Sequence, residues 1–291
     1  MKLSEIFEQN KDIVINTDID GILSGIILQQ YYGCNIVGFS NSNDIVWLCS
    51  DIQSVYAPVY IDMFVPQDNV ICIEQHIVAV NEAQHNHWLR CGTKINPNLT
   101  LQKRIFTLAD YKLKYPFGTI HYIIALMESE GMPVNLPNLN TVVDASLNIQ
   151  LGDLLLRADD AMKTTCNSPY MTNAQQWWNR LTTLSHNATS IQTMIQFLNN
   201  IPAANVDNIK TNTKEYFKQH FQCCTSDGGF NRILDKTNAL LPNIQTYIDT
   251  IAQVMGTTLR YPTQLVPHYG TAKQVYWNSQ WEKEFVNHQT I

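Results

Sequence analysis

The first half of the chain alternates short apolar runs with stretches of helical periodicity. Residues 12–17 (DIVINT) hold three branched apolar residues between polar ends, the pattern of a strand buried on both faces. Over 21–32 (GILSGIILQQYY) the apolar positions recur at helical spacing, which predicts a helix. Residues 35–39 (NIVGF), 57–63 (APVYIDM) and 69–73 (NVICI) read as further strands rich in branched residues. A helix is expected over 117–131, stopped by Gly131 with Pro133 just beyond, and TVVD at 141–144 reads as another short buried strand. Strand–helix alternation of this kind builds a mostly parallel sheet with helices on its faces, so the expected fold class is α/β.

From about residue 150 the pattern changes. Residues 150–163, 173–185, 189–200, 205–222 and 229–256 all read as helices, separated by breakers such as Asn167-Ser168-Pro169 and Ile201-Pro202. The final stretch, with Tyr261, Pro262, Pro267, Tyr269, Tyr276, Trp277 and Trp281, reads as an ordered tail packed by aromatics. An α/β domain over 1–160 and a helical C-terminal domain over 161–291 are therefore expected. No internal repeat, low-complexity tract or long charge block interrupts them.

Composition narrows the partners. The 291 residues suffice for one large domain or two ordinary ones. Lys+Arg 19 against Asp+Glu 25 gives a net charge of −6, which argues against coating duplex nucleic acid and favours a small substrate. Only 15% of residues are charged, against about 25% in typical domains, so the surface is polar but weakly charged. No apolar run approaches the ~18 residues of a membrane span, and the opening MKLSEIFEQNKDI lacks a signal-peptide core. The seven cysteines show neither a CxxC pair nor zinc-ligand spacing, and Cys72 in VICIE reads as a small hydrophobe. A reducing cytoplasm, with no membrane partner, is the expected setting.

Candidate chemistry concentrates where the predicted strands end. The run Ile13-Val14-Ile15-Asn16-Thr17-Asp18-Ile19-Asp20-Gly21 takes a buried strand into two carboxylates, a turn glycine and a helix. In open α/β sheets ligands bind at the carboxyl ends of strands, and a helix N-terminus there favours phosphate. A helix N-cap accounts for one of the two aspartates but not both. Asp62, Glu74-Gln75-His76 and Asp144 follow other predicted strands in the same way. Oxygen-rich acidic sites suit Mg²⁺ or Mn²⁺, and two such ions ~4 Å apart clamp a phosphoryl group for attack by metal-bound hydroxide. Lys112 and Lys114 lie just before Gly118-Thr119, which opens the helix, so these residues are placed to reach a phosphate.

The order of these motifs resembles the DHH phosphoesterases, a family of pyrophosphatases, single-strand exonucleases, short-oligonucleotide hydrolases and cyclic-dinucleotide phosphodiesterases. Asp18-Ile19-Asp20-Gly21 with Ser24 is similar to the first motif, Asp62 to the second and Glu74-Gln75-His76 to the third. Asn96-Pro97 resembles the Asn-Pro often seen downstream, and Asp144 resembles the fourth-motif Asp. The likeness spans roughly residues 10–160. It implies a DHH-like sheet with flanking helices and metal ligands Asp18, Asp20, Asp62 and Asp144. It implies further that His76 touches the phosphate and that Ser24, Gly118, Thr119 and Lys114 line the substrate site. Two imidazoles are missing from the pattern: Asn16 and Val14 stand where the first motif carries its His, and Gln75 replaces a His ligand. Gln75 becomes an auxiliary ligand, and Mn²⁺ or Mg²⁺ would occupy two sites, one or none.

Two functions follow from the likeness. One is a metal-dependent phosphoesterase acting on a short oligonucleotide or cyclic dinucleotide. The other is a catalytically inactive DHH-like protein that binds nucleotide or serves as a scaffold or assembly subunit, using the helical half for self-association or a protein partner. A Rossmann oxidoreductase is disfavoured because no GxGxxG follows the first strand. Elsewhere, Ser226-Asp227-Gly228-Gly229 reads as a turn opening the helix at Phe230, and Trp177-Trp178 as core. His85 and His87 in QHNHW read as solvated loop residues, able to ligate a metal only from a strand end.

Overall fold

Branched apolar runs bounded by polar residues set the sheet. Strand β1 (Asp12–Asn16) lies at its middle, paired in parallel with β2 (Asn35–Ser40) on one side and with β4 (Val59–Ile61) on the other. Parallel pairing continues from β4 to β5 (Cys72–Ile73) and on to β6 (Lys94–Ile95). Beyond β2 the direction reverses: β3 (Ile45–Leu48) runs antiparallel to β2, and β7 (Val266–Tyr269) antiparallel to β3. The result is a seven-stranded mixed, mostly parallel sheet in the order β6-β5-β4-β1-β2-β3-β7. This computed structural model describes residues 1–41, 45–111, 113–135, 169–186, 218–222, 230 and 232–269.

Eight helices are defined among the described residues. They are α1 (Leu3–Gln9), α2 (Ile19–Tyr32), α3 (Glu82–Cys91), α4 (Pro97–Thr100), α5 (Leu108–Tyr111), α6 (Thr119–Ser129), α7 (Pro169–Ser185) and α8 (Pro242–Val254). Helix α2 starts at Asp18, whose side chain accepts the Gly21 amide at 3.0 Å. It stops at Gly33, whose φ of 67° suits a residue without Cβ. Every residue from Ile19 to Leu28 is buried, because α2 is covered by β1, α6 and α8 together. One apolar core runs from Ile13, Ile26 and Phe39 to Trp177, Phe230, Tyr247 and Ile251, so segments from both halves of the chain fill it.

Several expected elements differ in extent. The helix expected over 229–256 is confined to α8, because Leu234, Ala239 and Leu240 form isolated β-bridges and Pro242 then occupies the first turn, where its missing N–H costs nothing. In the tail expected to pack by aromatics, the Tyr261 ring lies 6.2 Å from that of Phe39 and residues 266–269 form β7, while Tyr276, Trp277 and Trp281 lie outside the described residues. The runs that form α1, β3, α3 and β6 carried no expectation. His85 and His87 sit on α3 rather than in a loop, with His85 buried and His87 partly exposed. The expected 173–185 helix lies within α7, and both Trp177 and Trp178 are buried. The TVVD strand with Asp144, the helices over 150–163 and 189–200, most of 205–222, the 226–229 turn and Lys112 fall outside the described residues. No helix among the described residues is long and apolar enough to cross a membrane.

Candidate functional site

Neighbouring parallel strands deliver their last residues to one place. β1 ends at Asn16, with Thr17 and Asp18 following; β4 leads into Asp62; β5 leads into Glu74-Gln75-His76. The N-terminus of α6, with Gly118, Thr119 and Ile120, faces them. Asn16, Thr17, Asp18, Asp20, Asp62, Glu74, Gln75 and Thr119 are all buried. Helix α2 leaves β1 through a tight turn that requires glycine: a Cβ on Gly21 would lie 2.5 Å from the Asn16 carbonyl oxygen.

Asp20 reaches out of the first turn of α2 to cap α6. Its Oδ2 accepts the Thr119 amide at 2.7 Å and its Oδ1 accepts the Ile120 amide at 3.0 Å. A carboxylate across two free N–H groups of a helix start also sits at the positive end of the helix dipole. The approach is close enough that a Cβ on Gly118 would stand 2.8 Å from Asp20 Oδ1. Asp62 is fully buried and adopts φ +60°, a left-handed conformation that non-glycine residues take at a cost of order 1 kcal/mol. Its Oδ2 accepts the Asn16 side-chain amide at 3.0 Å, and its Oδ1 accepts the Thr119 hydroxyl at 2.7 Å. Asn16 is oriented by its own Oδ1, which accepts the Thr17 amide at 2.8 Å.

The third strand end forms a second network. Glu74 accepts the His76 amide at 2.7 Å, and His76 Nδ1 lies 3.3 Å from the same carboxylate oxygen. His76 Nε2 is 3.2 Å from Gln75 Nε2. Asn96 donates its side-chain amide to Glu74 and to the His76 carbonyl, while Asn98 donates to the Gln75 carbonyl at 2.6 Å. Asn98 Oδ1 accepts the Tyr115 amide at 2.9 Å, and the Tyr115 hydroxyl in turn donates to the Gly118 carbonyl at 3.3 Å. Burial foremost, and then the charge of Asp20, holds the Tyr115 phenol well above its usual pKa, so it remains a donor. Gly118 donates its amide to His121 Nδ1 at 3.1 Å. Thr17, Asn98, Tyr115 and His121 were not singled out from the sequence. Local signal existed for Thr17, inside the quoted run from Ile13 to Gly21, and for Asn98, two residues after the quoted Asn96.

The structure thus brings together Asn16, Asp18, Asp20, Asp62, Gln75, His76, Gly118 and Thr119. Ser24 is fully buried within α2, its hydroxyl without a hydrogen-bond partner. Lys114 is partly exposed on the segment leading to α6, and Asp144 lies outside the described residues. Of the metal ligands that the resemblance implies, Asp18, Asp20 and Asp62 are described and engaged by protein donors, while Asp144 lies outside the described residues. All four oxygens of Asp20 and Asp62 accept one bond each from a protein N–H or O–H group, so a cation here would share these carboxylates with protein donors. Among the described residues, Asp18, Asp20, Asp62 and Glu74 do not form a group whose ligand atoms all lie within 4.8 Å of one another. No family model matches the chain, and no curated protein or solved structure matches it either.

Proposed function

We propose that the chain is a non-catalytic relative of the DHH phosphoesterases, a cytoplasmic scaffold or assembly subunit in which the acidic strand ends hold the fold together. The observation that carries this reading is the pair Asp20 and Asp62, both satisfied by Thr119 and its neighbours. Phosphate binding at α6 is disfavoured on the same ground, since a carboxylate already occupies the amides that would receive it. The replacement of two imidazoles by Asn16 and Gln75 agrees, because Asn16 uses its amide as a donor toward Asp62 rather than as a metal ligand. Cys34, Cys49, Cys72 and Cys91 are free, as a reducing compartment requires. The partner is a protein or a second copy of the chain, engaged through the helical half.

The test combines activity with stability. Purified protein given Mg²⁺ or Mn²⁺ and bis(p-nitrophenyl) phosphate, dinucleotides or cyclic dinucleotides should show no turnover above a protein-free blank. Asp62→Ala should lower stability by about 2–4 kcal/mol in denaturant titration, because it strands the Asn16 amide and the Thr119 hydroxyl. Metal-dependent turnover that is lost in both Asp62→Ala and the milder Asp62→Asn would overturn the proposal.

A second reading is favoured by one observation, the left-handed backbone of Asp62, since strain of this kind gathers at functional sites. Under it the chain is a phosphoesterase for a small phosphodiester. Asp18, Asp20, Asp62 and Asp144 would hold Mn²⁺ or Mg²⁺, which would supply the hydroxide; Gln75 would assist, and His76 and Lys114 would meet the phosphate.

A further inference from the structure

A different group of side chains converges at the opposite end of the sheet. Asp68 precedes β5, whereas the acidic cluster described above follows the strands. Its Oδ1 lies 2.8 Å from Nε2 of His87, and Cys91 Sγ lies 3.6 Å from the same nitrogen. All three ligand atoms fall within 4.8 Å of one another, the one such His/Cys/Asp/Glu group among the described residues. His87 and Cys91 are four residues apart on α3, so they share a face one turn apart.

The helix and the turn that carry these side chains are held by a built frame. Helix α3 is capped at its start by the Asn81 side chain, which accepts the Gln84 amide at 2.9 Å, and at its end by Gly92 with φ 68°. The His87 ring packs edge-on against the half-turn neighbour Trp88, centroids 4.7 Å apart. The turn bearing Asp68 is pinned from two sides: the Thr93 hydroxyl donates to the Asp68 carbonyl at 2.7 Å, and the buried Lys94 ammonium donates to the Gln67 carbonyl at 2.8 Å.

The geometry separates two possible chemistries. A nucleophilic Cys–His–Asp triad needs thiol and carboxylate on different ring nitrogens, so that one proton can pass from sulfur while the other is held. Here both face Nε2. Three potential ligand atoms of different elements, all within 4.8 Å of one another, suit a coordination site instead. A tetrahedral zinc ion with Zn–S of about 2.3 Å and Zn–N of about 2.05 Å separates its sulfur and nitrogen by about 3.6 Å, the distance found between Cys91 and His87. The nitrogen and oxygen of such a site stand about 3.4 Å apart, so the Asp68 carboxylate needs to swing out by only about 0.6 Å. That side chain is 66% exposed and free to do so.

We propose that Asp68, His87 and Cys91 form a binding site for a borderline-soft divalent cation, zinc in the first instance, with water in the fourth position. The ion ties α3 to the turn before β5. Thiolate and imidazole together select zinc over the magnesium or calcium that carboxylate oxygens alone would favour. Binding expels the thiol proton of Cys91 and links two segments 19 to 23 residues apart.

Equilibrium dialysis of the reduced full-length protein against Zn²⁺ should find one bound ion. Co²⁺ substitution should give a sulfur-to-cobalt charge-transfer band that Zn²⁺ displaces and excess Mg²⁺ does not. Cys91→Ser should abolish that band, and His87→Ala should weaken affinity at least about tenfold. Both positions are partly exposed, so these variants should fold, with thermal unfolding of the metal-free forms close to that of the parent. Cys49→Ser and Asp62→Asn should leave the band intact, which separates this site from the acidic strand ends. The absence of any bound ion, or a band that survives Cys91→Ser, would overturn the proposal.

Discussion

At the scale of single residues, the aspartates after β1 show what a one-dimensional pattern can and cannot carry. Asp18 is the N-cap that its position implies, bonded three residues ahead to Gly21. Asp20 is also a cap, but of α6, whose amides lie 99 and 100 residues away. Local spacing therefore marks both residues as unusual and cannot name the second one's partner. Glu130 repeats the device, its carboxylate accepting the Leu3 and Ser4 amides at the start of α1 at 2.6 and 3.0 Å. Gly118→Ala should destabilise the protein by about 1–3 kcal/mol, because the new methyl group meets the Asp20 carboxylate before α6 can seat. Denaturant titration measures this, and an unchanged midpoint would show that α6 yields easily. Asn96→Ala should cost about 2–4 kcal/mol, since it leaves the buried Glu74 carboxylate and the His76 carbonyl short of a donor.

Elements were legible in proportion to their length and apolar content. β1, β2 and α2 form close to where branched runs and helical spacing put them. β5 and β6, two residues each, were blurred or missed, because pairing with a neighbour rather than intrinsic preference makes them strands. β7 is the sharpest case: VPHY carries a proline and no alternation, yet it pairs along the whole of β3. Among the described residues β7 is an outer strand of the sheet, a position where proline is tolerated. Its role is to cover β3, whose Ile-Val-Trp-Leu would otherwise present open backbone groups. Deleting residues 266–291 should therefore raise the apparent mass in size-exclusion chromatography with light scattering. A deletion variant that stays monomeric would mean that β3 is protected by something else.

For the molecule as a whole, the α/β class was readable from alternation, while the dependence of each half on the other was not. Amphipathic spacing in α2 shows one apolar face, and the structure buries residues 19–28 on every side. The extra cover comes from α6 and, across more than 200 residues, from α8. Phe230 also donates its amide to the Thr17 hydroxyl at 3.2 Å, directly behind the acidic strand ends. A fragment of residues 1–160 should accordingly bind a hydrophobic dye and unfold without a cooperative transition, because it loses Trp177, Phe230, Tyr247 and Ile251 from the shared core. A sharp melt from that fragment would show that the N-terminal sheet closes its own core.

The placement of β7 also bears on how the protein is made. β3 emerges from the ribosome about 220 residues ahead of the strand that will shield it. At translation rates of about 5–20 residues per second, the nascent sheet waits on the order of 10–40 s with one flank uncovered. Throughout that interval the growing polypeptide is a natural client for a holding chaperone, and β7 acts as the closing stitch.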